Sequence, residues 1–455
     1  MARCACDVTS VLAQSRYVAL MEHASTPPTS SPKTDRQLVT VRIPTWWTLA
    51  GLITGLGTGL VLARGSSAEA VLSVTGPVGS LWLRALQVTI VPLVAGLLVI
   101  GIAQMVQAAR AGAAAQRMLG LVAAVLLFSG ISSAVVTPLL LDLFPPPAAA
   151  ASVLSTGAAA QDVPGLSAFI ESLVAPNIVA AAAETAMLPL TLFLAAFAVA
   201  VARLPANQRD TLLGFFRALA NAMLLIIGWV LWAAPVGVFA LATGVGAASG
   251  GAAFATLGHY ILIVVAVGTV VLVAGYLLAW AAGGIGPMRF GRAVLPAQTV
   301  GLSTQSSLAS LPAMLVSAQR LGLREQSAEF ALPLAVAIFR ATSPSMNLAV
   351  AIYVAHLAGV TLTPLIMVAG VAVAFVIAIG SVSLPGTISF VISVGPIALA
   401  MGVPIEPLAL LVAVEMMPDI LRTVGNVTMD VAVTTAVDRH ARTGSGEDMP
   451  DAVQP

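Results

Sequence analysis

The stretch EMMPDILRTVGNVTMD, residues 415–430, decides how the chain must be read. It sets Glu415, Asp419, Arg422 and Asp430 into a segment that otherwise suits lipid. At 100° per residue, positions 415, 419, 422, 426 and 430 fall within about 80° of one another, so a helix here carries one polar stripe on an apolar body. A charge at the centre of a bilayer costs about 2.5 to 3.5 kcal/mol on insertion scales, so four in one helix are tolerable only where they face protein, water or a ligand.

The composition surrounding that helix confirms the setting. Of 455 residues, 59% are hydrophobic and 9% charged, against about 25% charged in soluble domains. So few charges cannot cover a globular surface, and the expectation is an all-α polytopic membrane protein. The net charge is +1, with basic residues spread in ones and twos, which gives no footprint for nucleic acid. Cys4 and Cys6 are the only cysteines, so neither a disulfide framework nor a cysteine metal site is encoded. Residues 1–44 are polar, contain TPPTSSPKTD and read as a disordered cytoplasmic tail; residues 441–455 read as a second one. There is no HExxH or GxSxG, and His23, His259, His356 and His440 form no spaced cluster, so the chain does not read as an enzyme. His356 reads as a packed helix residue rather than a proton relay.

Apolar runs of spanning length lie near 46–65, 80–107, 118–141, 166–201, 213–243 and 254–282, giving six helices. Beyond residue 285 two segments, 293–316 and 367–402, are interrupted by Gly, Ser and Pro, and each precedes a fuller helix, 328–358 and 405–437. Arg110 and Arg117, Arg203, Arg209 and Arg217, Arg289, Arg292, Arg320 and Arg324, and Arg439 and Arg442 mark one side, which the positive-inside rule makes cytoplasmic along with both termini. The connections near 142–165, 244–253 and 359–366 hold no Lys or Arg and face out. The first interrupted segment has arginines on both flanks, so it enters and leaves on the cytoplasmic side as a re-entrant hairpin. The second enters and leaves outside. Their tips, STQSSLASLP (303–312) and GSVSLPG (380–386), are related. Paired broken segments of an inverted repeat point to a transporter's substrate site; the alternative is two kinked helices.

These residues resemble the dicarboxylate/amino acid:cation symporter family, the glutamate and aspartate transporters, over residues 45–440. LWLRALQVTIVPLVAGLLVIGIA (81–103) is similar to the family's second helix and APVGVFALA (234–242) to the end of its fifth. SSLASLP (306–312) and SLPG (383–386) resemble its hairpin tips, and D-x-x-R-T-x-x-N-x-x-x-D of its last helix is met by Asp419, Arg422, Thr423, Asn426 and Asp430. The resemblance implies eight transmembrane helices plus two re-entrant hairpins, assembled as a homotrimer in the inner (plasma) membrane. Within residues 45–285, helices one, two, four and five form a scaffold. Helices three and six join residues 286–440 in a transport core that moves like an elevator.

It also implies roles. Arg422 grips a substrate carboxylate with its planar fork; Asp419 accepts the ammonium group, which favours an acidic amino acid over a C4-dicarboxylate, and Asn426 holds the main-chain carboxylate. Thr423, Ser343, Pro385 and Gly386 line the same cavity, and Gln305, Ser306 and Ser307 add donors at half-helix N-termini. Asp430, with Asn426 and backbone carbonyls, takes Na⁺, and Glu415 stands behind it. The alternative is that these side chains only pair among themselves. No organic cofactor is implied; the coupling ion is Na⁺ or H⁺. A passive channel or non-transporting sensor is the reading from another class.

The sequence departs from the family in the seventh helix. The family's N-M-D-G-T falls on Phe339, Arg340, Ala341, Thr342 and Ser343, so both sodium-binding side chains are gone. In the third helix the family's Tyr, Thr and Ser match Phe128, Ile131 and Ser132. Arg340 cannot shed its charge and needs an anionic neighbour, Asp430 or Glu415. Arg340 and Arg422 against Glu415, Asp419 and Asp430 leave −1, and Arg340 acts as a tethered cation in place of one Na⁺. The expected carrier has reduced Na⁺ stoichiometry or uses H⁺, through Glu415.

Overall fold

The computed structural model describes residues 45–63, 68–110, 112–147, 173–249, 252–380 and 386–445, with positions 150 and 171. The N-terminal tail and the second hairpin's tip, with Pro385, lie outside them. Every regular element among the described residues is helical.

The order is α1 (Thr45–Leu62), α2 (Ala68–Gln87), α3 (Ile90–Ala109), α4 (Ala113–Leu143), α5 (Ile178–Ala183), α6 (Met187–Arg203), α7 (Ala206–Trp232), α8 (Ala234–Ser249) and α9 (Ala252–Ala281). There follow α10 (Pro287–Thr304), α11 (Ser307–Arg320), α12 (Glu325–Ile338), α13 (Ser343–Leu357), α14 (Pro364–Gly380), α15 (Gly386–Ala400), α16 (Leu408–Leu411), a 3₁₀ turn (Val412–Val414) and α17 (Met416–Ser445). Among the described residues, five stretches are long and apolar enough to cross a membrane: Glu69–Ala109, Ala115–Leu143, Ala206–Trp232, Ala252–Ala281 and Glu325–Leu357. The chain is a multi-pass membrane protein.

Several expected spans are divided. The fifth breaks at Ala233, where Pro235 withholds a backbone donor from the next turn. The second begins at Ala68, well before residue 80, and the fourth is interrupted at Thr185, which adopts a left-handed φ of 55°. The seventh breaks between Ile338 and Ser343, at residues 339–342. The final helix also differs from its sequence reading, for it does not present an apolar body to lipid. Every residue from Gly425 to Asp438 is buried, enclosed by α9, α10, α11, α12 and α4. Its low hydropathy is tolerable because protein, not lipid, surrounds it.

Hairpin one is a helix–turn–helix. Gln305 turns the chain with a left-handed φ of 51°, and the Ser306 hydroxyl caps α11 by accepting from Ala309 N at 3.2 Å. At the far end of α11 the Asp438 carboxylate receives Arg324 Nε at 2.9 Å and Arg442 Nε at 2.8 Å, while Arg442 Nη2 reaches the Gly322 carbonyl. This clamp fastens the α11–α12 turn to the end of α17. The first helix is held differently. Its glycines 51, 55 and 59 recur every fourth residue, and a Cβ added at each would come within 2.4, 2.5 and 2.3 Å of the Pro235, Phe239 and Thr243 carbonyls of α8. Small residues at this spacing let two backbones approach in a membrane, where packing rather than the hydrophobic effect drives association.

Gly55→Leu should separate α1 from α8 at an overpacking cost of about 1 to 3 kcal/mol. Gly57, where an added Cβ meets nothing within 4 Å, is the comparator. Thermal unfolding in detergent should show a lower midpoint for Gly55→Leu and no change for Gly57→Leu.

Candidate functional site

The site forms where the broken seventh helix meets α17. Phe339 leaves α12 in an extended conformation (φ −126°, ψ 119°), which frees backbone groups of residues 339–342 inside a dry interior. One of them is met by α17: Thr342 N donates to Asn426 Oδ1 at 2.9 Å. The Thr342 hydroxyl lies 2.9 Å from the Arg422 carbonyl and 2.8 Å from the same Asn426 oxygen. Gly425 makes this approach possible, since a Cβ there would stand 2.4 Å from Thr342 Cγ2. Pro344 sits in the first turn of α13, where its absent N–H costs nothing. The break is therefore built into both sequences, by residues that cap it and by residues that leave room for it.

Arg422 is 1% exposed and organises the acids around it. Its Nη1 donates to Asp419 Oδ1 at 2.9 Å and to Glu415 Oε1. Its Nε and Nη2 have no hydrogen-bond partner among the described residues. This edge of the guanidinium can receive a carboxylate side-on through two parallel bonds. Asn426 has its oxygen committed to Thr342, while its Nδ2 is buried without a partner. Ser307, at the start of α11, and Ser343, at the start of α13, are buried with hydroxyls likewise unpartnered. Thr423 is buried beneath hairpin one, where a Cβ on Gly301 would touch its Cγ2 at 3.4 Å. Ser306 spends its hydroxyl on the α11 cap, and Gln305 is half-buried at the turn. Gly386 is the first residue of α15.

The acids are partitioned. Of the two that the charge count offers Arg340, Glu415 is bonded to Arg422, and the acids whose charges reach Arg340 are Asp419 and Asp430. Arg340 is 5% exposed. Asp430 is fully buried and no hydrogen bond among the described residues reaches either of its oxygens. The third helix turns a different face to the site than the sequence alignment expects. Phe128 and Ile131 are 45% and 49% exposed on its outer side, and the Ser132 hydroxyl donates to the Ser129 carbonyl one turn back. Ser129, Ser133 and Thr137 are the buried ones, and Ser129 Oγ accepts from Ser345 N at 3.1 Å. A shift of one residue rotates a helix by 100°, enough to exchange these faces. Sequence reading also passed over Asn347, whose side-chain oxygen is buried and unpartnered on α13, and Tyr260, whose hydroxyl is likewise unpartnered on α9. A polar residue in the middle of an apolar span is the signal both carried.

Comparison with known proteins gives a consistent result. Residues 45–440 match the profile of the sodium:dicarboxylate symporter family. The chain is 28% identical to the proton/glutamate-aspartate symporter of Escherichia coli (strain K12), over 84% of its own length and 89% of that protein's. It is 26% identical to the proton/sodium-glutamate symport protein of Bacillus subtilis (strain 168), over 83% and 88%. It is 25% identical to the neutral amino acid transporter B(0) of Bos taurus, over 90% and 82%.

Thr342→Val keeps the side chain's volume but removes the hydroxyl that ties the break to Arg422 and Asn426. The expected loss is about 1 kcal/mol of stability, because two buried acceptors each lose one of their donors. Thr342→Ser, which keeps the hydroxyl, should stay near wild type in the same unfolding assay.

Proposed function

The chain belongs to the sodium:dicarboxylate symporter family, and on that premise we propose that it carries acidic amino acids, aspartate or glutamate, across the inner membrane with a coupling ion. The observation that carries this reading is the Arg422 fork. Its Nε–Nη2 edge, buried and unpartnered, offers a side-chain carboxylate two parallel bonds, while Nη1 stays with Asp419 and Glu415. A neutral amino acid has no second carboxylate for this edge, and the relatives' names include carriers of both kinds. Asp419, beside the fork, takes the ammonium group, which a C4-dicarboxylate lacks; Asn426 Nδ2 takes the main-chain carboxylate.

Coupling is the point at which this chain departs from its relatives. Arg340 stands where the family places sodium-binding side chains and lies within reach of the charges of Asp419 and Asp430. A fixed guanidinium there supplies permanently what a bound Na⁺ supplies transiently, so fewer mobile cations are needed for neutrality. Asp430, with two buried oxygens awaiting a partner, has the hard donors a remaining Na⁺ would take; Glu415 is the group that would carry H⁺. Hairpin one and the segment around α14 and α15 serve as gates of a core that moves as an elevator within a homotrimer. Both termini lie in the cytoplasm.

Purified protein titrated with aspartate, glutamate, a neutral amino acid and succinate, each with and without Na⁺, should bind the first two most tightly. Arg422→Ala should weaken aspartate by about 3 kcal/mol, roughly 100-fold in Kd. Tightest binding of succinate would replace this reading with the C4-dicarboxylate carrier. Arg340→Met should either raise the dependence of uptake on Na⁺ or abolish transport; unchanged kinetics would show that Arg340 has no part in coupling.

A further inference from the structure

Away from the candidate site, a cavity of about 340 Å³ opens where the first turns of α4 meet the end of α9 and the last turns of α17. Its walls are apolar, made by Leu121, Val437 and three alanines, and the polar side chains in its lining are Arg117 and His440. The volume lies within the range of small-ligand pockets, about 300 to 1,000 Å³. Arg117 is exposed on the second turn of α4, and no ion pair or hydrogen bond among the described residues engages its guanidinium.

The cavity is the foot of an apolar stripe. At 100° per residue, positions 117, 121, 124, 128, 131 and 135 fall within about 80° of one another on α4. Ala124, Phe128, Ile131 and Val135 are exposed and Leu121 is half-buried, so the stripe is open along its length. Phe128 stands about 16 Å along the helix from Arg117 at 1.5 Å per residue, roughly the hydrocarbon thickness of one leaflet. Trp280, exposed in the last turn of α9 and two residues before Ala282, marks the headgroup level, where tryptophan concentrates. Charge at this level has one sign. Arg439 reaches the α9–α10 turn, where a Cβ on Gly284 would stand 2.7 Å from its Nη1. The neighbouring acid, Asp438, is committed to Arg324 and Arg442, and the acid of α4, Asp142, lies at the far end of that helix.

We propose that this cavity binds one anionic phospholipid from the leaflet at the C-terminal end of α17, with its phosphate on Arg117 and an acyl chain along Leu121, Ala124 and Phe128. A phosphate offers the guanidinium fork two oxygens for parallel hydrogen bonds. The apolar walls and the stripe above them take the hydrocarbon, which a free phosphate does not possess. A zwitterionic lipid brings its own cation to a mouth that Arg117 and Arg439 already make positive, so a headgroup of net negative charge is selected. Basic pockets between spans at a membrane face suit such headgroups. The site is independent of the substrate and of the coupling ion.

The test uses the full chain purified in detergent and a phosphatidylglycerol carrying a diazirine in its acyl chain. Irradiation of wild type should attach the probe between Leu121 and Ile131, as read by peptide mass spectrometry. Unlabelled phosphatidylglycerol should compete, whereas phosphatidylcholine with the same chains and inorganic phosphate should not. Arg117→Gln should cut the yield at subsaturating probe about fivefold, the worth of one arginine at an anionic lipid surface. Arg117→Lys, which keeps the charge, should restore most of it. Arg203→Gln, which removes an exposed arginine from the last turn of α6, should leave the yield unchanged. Equal yields from wild type and Arg117→Gln, or equal competition by phosphatidylcholine, overturn the proposal. Full competition by inorganic phosphate replaces the lipid with a free anion, and absence of label from residues 117–131 of wild type overturns the site itself.

Discussion

A guanidinium in a dry interior cannot give up its proton, and the arrangement around Arg422 follows from that constraint. Its charge must be matched, and Glu415 and Asp419 match it from the same end of α17. Both acids bind one nitrogen, so the remaining edge is left unpaired in a place where an unpaired charged donor is costly. A buried network that satisfied every donor would be structural only. This one leaves donors and acceptors unmatched at the same locus, on Arg422, Asn426, Ser307, Ser343 and Glu415. Unmatched buried groups cost stability, and each calls for a physical reason, a bound water, ion or ligand among them.

The broken seventh helix depends on the same span. Residues 339–342 cannot sit as free backbone at membrane depth unless protein supplies partners. Asn426 does so with its oxygen while its nitrogen is left over, so one side chain both holds the scaffold of the site and faces the space beside Arg422. Arg340 is delivered into that space by the break itself: in a continuous helix it would be one more residue on a cylinder, whereas in the extended segment it comes within reach of Asp419 and Asp430. Both buried guanidiniums and the acids whose charges reach them are thereby gathered at one joint.

Much of this was legible in the chain. Composition alone gave a helical membrane protein, because so few charges cannot clothe a soluble surface. The interruption at 303–312 marked a helix break, at Gln305, since Gly, Ser and Pro withhold or redirect backbone bonds. The stripe from Glu415 to Asp430 marked the buried charged span, since charges inside a membrane need partners. The divided fifth and seventh spans were less legible: Pro235 and Pro344 lie one or two residues inside helices that start there, a position that looks the same as an internal kink until the partner helix is seen.

What the sequence determined by itself, then, was the inventory: which spans are apolar, which are broken, and which helix carries charge. These follow from local chemistry and helical period. Only the tertiary structure decided pairing and facing. That Glu415 serves Arg422 and not Arg340, that Ser129 rather than Ser132 meets the seventh helix, that residues 425–438 of α17 are wrapped in protein, and that His259 joins Tyr353 all depend on how helices rotate and pack against partners distant in the chain. A rotation of 100° per residue changes the answer without changing the composition, and no local rule fixes that angle.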